Sequence, residues 1–111
     1  MKAFEGDWAA EGLGGVVRLG ACADDETKLC GRLLWVWDRS RVKEGMVGAE
    51  IMKGFVWRDG AWRGGTMVNP VNGETHKGSI RIGTGAARVS GCLGHWCEKQ
   101  VWRALGPPPG P

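Results

Sequence analysis

Polar and apolar residues take turns along much of this chain, which is the period of an extended strand, and no stretch of useful length carries the wider spacing of an amphipathic helix. From Arg32 onward, alternation sets Leu33, Trp35 and Trp37 on one face and Arg32, Leu34 and Val36 on the other. Further along, His76, Gly78, Ile80 and Ile82 oppose Thr75, Lys77, Ser79 and Arg81. One face is apolar and the other is mostly solvated. Turn signals punctuate these runs. Asp59-Gly60 and Asn72-Gly73 are hairpin dipeptides, because these residues tolerate the positive φ of tight turns, and Asn69-Pro70 ends a strand ahead of the second. The pattern predicts strands over 4–10, 15–21, 29–37, 50–57, 61–68, 74–83, 87–92 and 97–104. The stretch from Asp38 to Ala49 is charged and aperiodic, and reads as a mobile loop or as a strand the pattern conceals.

Consecutive hairpins with one apolar face predict an all-β fold. An eight-stranded antiparallel up-and-down barrel follows, since closing the sheet removes its exposed edges. Residues 1–105 form this single domain, and the Pro- and Gly-rich residues 106–111 form a flexible tail that cannot join a sheet. Arg18, Lys77, Arg81 and Arg88 fall on the outer face, where each would cost about 2–4 kcal/mol at a bilayer midplane, so the outside faces water. Leu33, Trp35, Trp37, Phe55, Trp57 and Met67 are expected inside. A barrel of this size either fills with such side chains or encloses one small ligand. Inward Gly31, Gly65 and Gly78 remove volume and leave room beside the large rings. His76, on the apolar face, is a polar group in need of a partner: a satisfied core histidine or a handle for a ligand.

Composition adds the compartment. Four cysteines in 111 residues fall into two local pairs, Cys22 with Cys30 and Cys92 with Cys97. Each pair brackets a short polar turn, where hairpin geometry brings two Cα atoms within disulfide reach, so bridges 22–30 and 92–97 are expected in an oxidising compartment. A zinc site is disfavoured, because neither pair has knuckle spacing and neither histidine completes a ligand set. The net charge of +3 comes from fifteen basic residues interspersed with twelve acidic ones, without the basic stripe that nucleic acid requires. No apolar run is long enough for a membrane helix. No signal sequence is visible either, so export implies a sequence beginning after a cleavage site.

Catalytic patterns are weak. Ser40, Ser79 and Ser90 lack the context of an activated nucleophile, Asp24-Asp25-Glu26 reads as a solvated turn, and His95 reads as a hairpin-tip residue. An enzyme is not expected, nor a cofactor or a metal.

Gly6-Asp7-Trp8 resembles the Gly-x-Trp signature of lipocalin and calycin barrels, in which the tryptophan closes the barrel floor under a late basic residue; Trp102-Arg103 supplies one. Arg103 over the Trp8 indole would join the first strand to the last. A wider resemblance runs through Gly6-x-Trp8, Cys22, Leu29-Cys30-Gly31-Arg32, Trp62-x-Gly64-Gly65, Asn69-Pro70-x-Asn72-Gly73, Gly91-Cys92, Cys97 and Trp102. Together these look like the domain-of-unknown-function family 2147 of small exported bacterial proteins. The resemblance implies a lipocalin-like barrel, a periplasmic or secreted location and an apolar ligand, without a defined activity. The stretch from Asp38 to Ile51 is shorter than the family's and lacks its arginine- and proline-rich segment, and His76 stands where the family commonly shows tyrosine.

Two functions are therefore expected to compete. The first is a carrier or sensor of a small apolar or amphipathic molecule, walled by Leu33, Trp35, Trp37, Phe55, Trp57 and Met67, with His76 as handle. The second is an interaction module with a filled core, meeting an envelope protein through the 38–50 loop or Trp96. The oligomeric state is left open.

Overall fold

The computed structural model describes residues 5–11, 14–83, 85–93 and 96–105, with no side chain described from 92 to 97. Eight antiparallel strands, β1 (Gly6–Ala9), β2 (Gly15–Ala21), β3 (Lys28–Val36), β4 (Glu50–Arg58), β5 (Ala61–Val68), β6 (Thr75–Ile82), β7 (Ala86–Leu93) and β8 (Trp96–Ala104), pair in sequence order and close into a barrel. The expected strands are all present. Phe4, placed in the first of them, lies outside the described residues, as does the tail at 106–111.

Up-and-down connectivity puts alternate connections at the same end. The links β1–β2, β3–β4, β5–β6 and β7–β8 gather at one end, the mouth, and β2–β3, β4–β5 and β6–β7 at the other, the base. Asp59 and Gly60 adopt φ of 53° and 77°, the two positive values that a two-residue hairpin matched to strand twist demands. Asn72-Gly73 does not make such a turn. It belongs to a longer loop in which Asn69 Oδ1 accepts from Val71 N and Asn72 Oδ1 accepts from Glu74 N.

Closure is narrow. Among the described residues β1 meets β8 at two register positions, Trp8 with Ala104 and Ala9 with Arg103, extended by Leu105 N–H donating to Asp7 O at 2.9 Å. Toward the mouth β1 stops while β8 continues, and there the Glu11 carboxylate accepts Val101 N–H at 3.4 Å. On the outer face Arg18 Nε reaches Asp7 Oδ1 at 2.8 Å across β1 and β2.

The interior is packed by Trp8, Val17, Leu19, Leu29, Leu33, Val36, Ile51, Met52, Phe55, Trp62, Ile80, Ala87, Val89 and Trp102. Four register shifts decide which residues enter. In β3, Val16 pairs with Trp35 but Val17 with Leu33, so Leu34 is an extra residue, a β-bulge, and alternation reverses beyond it. Val36 therefore turns inward at 7% exposure, while Trp35 and Trp37 face out at 41% and 76%. This corrects the expected inner placement of both tryptophans, which stack edge to face with centroids 6.3 Å apart. In β4, the register against β3 slips twice, between the partners of Leu29 and Gly31 and of Gly31 and Arg32, which buries the neighbours Ile51 and Met52 together. Gly54 (φ 71°) accompanies the first slip, and Gly64 (φ 70°) a similar one in β5. Phe55 is fully buried, as expected. Trp57 is in register with Trp62 on the same face, but it stands at the base and is 49% exposed, edge to face with Trp62 at 5.4 Å.

The inward glycines do not leave empty room. A Cβ on Gly65 would stand 2.1 Å from the Phe55 ring, and one on Gly78 2.3 Å from Met67 Sδ. Each glycine seats the large side chain of a neighbouring strand.

At the base, Cys22 and Cys30 form a disulfide with Cα atoms 4.9 Å apart, bridging β2 to β3. Register sets Cys92 opposite Cys97, but their side chains, and so the second expected bridge, lie outside the described residues. Among the described residues no helix is long and apolar enough to cross a membrane.

Replacing Cys22 and Cys30 together by serine should cost about 2.5 kcal/mol through the freed entropy of the unfolded chain. The melting temperature followed by circular dichroism should then fall by about 10–15 °C. Gly65→Ala forces Phe55 from its seat and should cost about 1–3 kcal/mol in urea unfolding, whereas Gly20→Ala, with open space around it, should cost under about 1 kcal/mol.

Candidate binding cavity

Below the mouth the interior is not filled. A cavity of about 600 Å³ extends into the upper half of the barrel. Its walls come from inward positions: Gly15 and Val17 of β2, Leu33 and Val36 of β3, Ile51 of β4, Met67 of β5, His76 of β6, Val89 and Gly91 of β7, and Glu98, Gln100 and Trp102 of β8. Loop residues complete the rim, among them Glu11, Trp37, Asp38, Arg41, Val42, Asn69, Pro70 and Val71. The lower wall is aliphatic and aromatic. The upper wall is polar.

Each side has a local cause. β8 presents Trp102, Gln100 and Glu98 inward because Trp102 is opposite Ala87, Gln100 opposite Val89 and Glu98 opposite Gly91 on one face of β7. Trp102 Nε1–H donates to Gln100 Oε1 at 2.9 Å, which satisfies the indole without removing it from the wall. His76 is in register with Met67, and its ring lies over Gly91, where a Cβ would come within 2.6 Å of the imidazole. Among the described residues His76 Nδ1 is buried with no hydrogen-bond partner. Leaving such an atom dry and unpaired costs roughly 1–3 kcal/mol, which the packing of the ring in the wall has to offset.

The segment between β3 and β4 shapes the rim, and in place of a hidden strand it forms a short 3-10 turn and bends. Asp38 caps a short 3-10 turn, Arg39–Arg41, accepting from Ser40 N at 3.0 Å and Ser40 Oγ at 2.6 Å. Lys43 N–H donates to Pro70 O at 2.7 Å, tying this segment to the β5–β6 loop. Val42, Met46 and Val47 pack on the core, Gly48 N–H donates to Leu33 O, and Arg32 donates to Gly48 O. The Ser40 hydroxyl, then the Ser40 backbone N–H, and Arg41 hold the Asp38 carboxyl below the usual carboxylate range.

Of the residues singled out from sequence, Leu33, Met67 and His76 come together in the cavity, and Trp37 reaches its rim from outside. Trp35 faces solvent, Phe55 lies in the packed base and Trp57 covers Trp62. Trp8 and Trp102 are both buried; Arg103 is exposed and in register with Ala9. Trp96 and His95 lie outside the described side chains. Val17, Val36, Val89, Glu98 and Gln100 were missed. Counting back by twos from Trp102 would have found the β8 pair. Among the described residues no three His, Cys, Asp or Glu side chains are grouped to hold a metal ion.

The family model described as "Uncharacterized protein conserved in bacteria (DUF2147)" matches residues 6–104, the whole barrel. The chain belongs to the DUF2147 family. A search of curated proteins finds no match to this DUF2147 barrel. Among solved structures, it is similar to protein HP1028 from Helicobacter pylori, whose description places that protein in the lipocalin family. The TM-score is 0.70 at 11% identity, covering 93% of this chain and 83% of that one. This DUF2147 chain is thus a lipocalin-like barrel in fold.

The capped Asp38 yields a titration test. With its folded pKa depressed, the carboxylate favours the native state above its ordinary value near 3.9, and this contribution is lost as pH falls through the folded value. Ser40→Ala should bring the Asp38 titration midpoint, read by carboxyl NMR, up toward that ordinary value; an unchanged midpoint would discount the cap.

Proposed function

We propose that this protein is a binding module of the bacterial periplasm or exterior that carries or senses one small amphipathic molecule. The observation that carries this reading is the cavity. About 600 Å³ lies within the range of small-molecule sites, and its aliphatic floor beneath a polar upper wall suits a ligand with an apolar body and one polar end. The imidazole of His76, in the cavity wall beside Gly91, supports the same orientation. The Cys22–Cys30 bridge and an outer face carrying Arg18, Lys77, Arg81 and Arg88 are in keeping with an oxidising aqueous compartment.

Titration with single-chain amphiphiles of graded length, followed by tryptophan emission, tests the reading, because Trp102 lies in the wall and Trp37 at the rim. Saturable binding is expected. Val89→Trp, which plants a large ring in the cavity, should weaken binding about tenfold or more, with the β-sheet circular dichroism retained. Absence of any saturable signal across chain lengths and head groups, in fluorescence and calorimetry alike, would remove the proposal.

A further inference from the structure

The charges around the cavity run against the charge of the chain. The protein carries +3 overall, yet the charged residues described along this cavity are Glu11, Asp38 and Glu98 against the single cation Arg41. Arg41 Nε is already 3.4 Å from Asp38 Oδ2, and Asp38 also accepts twice from Ser40. That pair is internally satisfied. The uncompensated charge therefore rests on Glu11 and Glu98, which flank the cavity from the β1–β2 connection and from β8.

Their surroundings favour a particular partner. Glu11 Oε1 accepts one long bond from Val101 N–H, which leaves most of the carboxylate's acceptor capacity unused. Glu98 is opposite Gly91, and Gly91 is also the glycine that His76 overlies. No side chain at 91 separates the carboxylate strand from the imidazole, so both border one polar corner of the upper wall. There the Cδ2–Nε2 edge of the His76 ring faces Gly91, and His76 itself lines the cavity. A corner furnished with acceptors and net negative charge suits a head group that donates hydrogen bonds and carries positive charge, and it repels a carboxylate or phosphate at this range.

We propose that the cavity selects organic cations, that is, amphiphiles ending in a protonated amine, with the ammonium among Glu98, Glu11 and His76 and the apolar body on the floor below. This rests on the cavity being a ligand site, and the experiment separates the two ideas. Dodecylammonium and dodecanoate share a tail and differ in head-group charge. Calorimetric titration of the full chain with each, below micelle-forming concentrations and at low salt, should show the amine binding about fivefold tighter or more, roughly the worth of one partly screened charge contact. The difference should shrink in about 0.5 M salt, and shrink likewise in Glu98→Gln as the amine weakens and dodecanoate strengthens. Equal or tighter binding of dodecanoate, or an amine preference indifferent to both salt and Glu98→Gln, would overturn the charge selection and leave the cavity reading standing. Failure of both compounds to bind would overturn both.

Discussion

A sheet with one oily face has two edges to dispose of, and this chain disposes of them by bonding β1 to β8. Among the described residues, Trp8 with Ala104, Ala9 with Arg103 and the Leu105 to Asp7 bond make that closure. Everything inside depends on it, because an open sheet would expose the floor residues that the cylinder encloses. The short first strand limits the closure to the base half, and the Glu11 carboxylate takes over one β8 amide where the strand has ended. Packing near this junction is correspondingly dense: Trp8 and Trp102 are each only 4% exposed.

The barrel divides its work along its axis. Toward the base, Leu19, Leu29, Phe55 and Ile80 are fully buried, and the glycine at 65 lets the neighbouring strand lay Phe55 against the backbone. Toward the mouth, smaller residues such as Val17, Val36 and Val89 line the wall, and polar groups replace them near the rim. Aromatic mass thus supplies cohesion below, and its scarcity above leaves space. The two choices that sequence alone held open, a filled interior or a cavity, both occur in this one barrel, at different heights.

Strand count, strand limits and the inner row His76, Gly78, Ile80 and Ile82 were legible because turn residues and simple alternation determine them. The cavity was legible only in part. Alternation assumes that no residue is skipped, and Leu34 breaks that assumption: past this one extra residue Trp35 and Trp37 exchange places with Val36. Nothing in Leu34 itself announces a bulge. The slips in β4 and β5 are better marked, since Gly54 and Gly64 occupy the left-handed backbone region there, yet a glycine in a strand equally signals a close approach, as Gly65 shows beside them. Trp57 was assigned the correct face, but its depth depends on strand tilt, which a linear pattern does not carry. His76 stood out because a polar residue in an apolar row has to be explained.

The Cys22–Cys30 disulfide sits at the base, at the end of the barrel away from the rim. Cross-linking removes freedom from the hairpin that anchors the cylinder, while the rim segments are held to one another by backbone contacts such as Lys43 with Pro70. Contacts of that kind open locally at far lower free energy than a whole domain. A reducing environment acting on Cys22–Cys30 would thus loosen the anchoring of the base hairpin without touching the Lys43–Pro70 tie across the mouth.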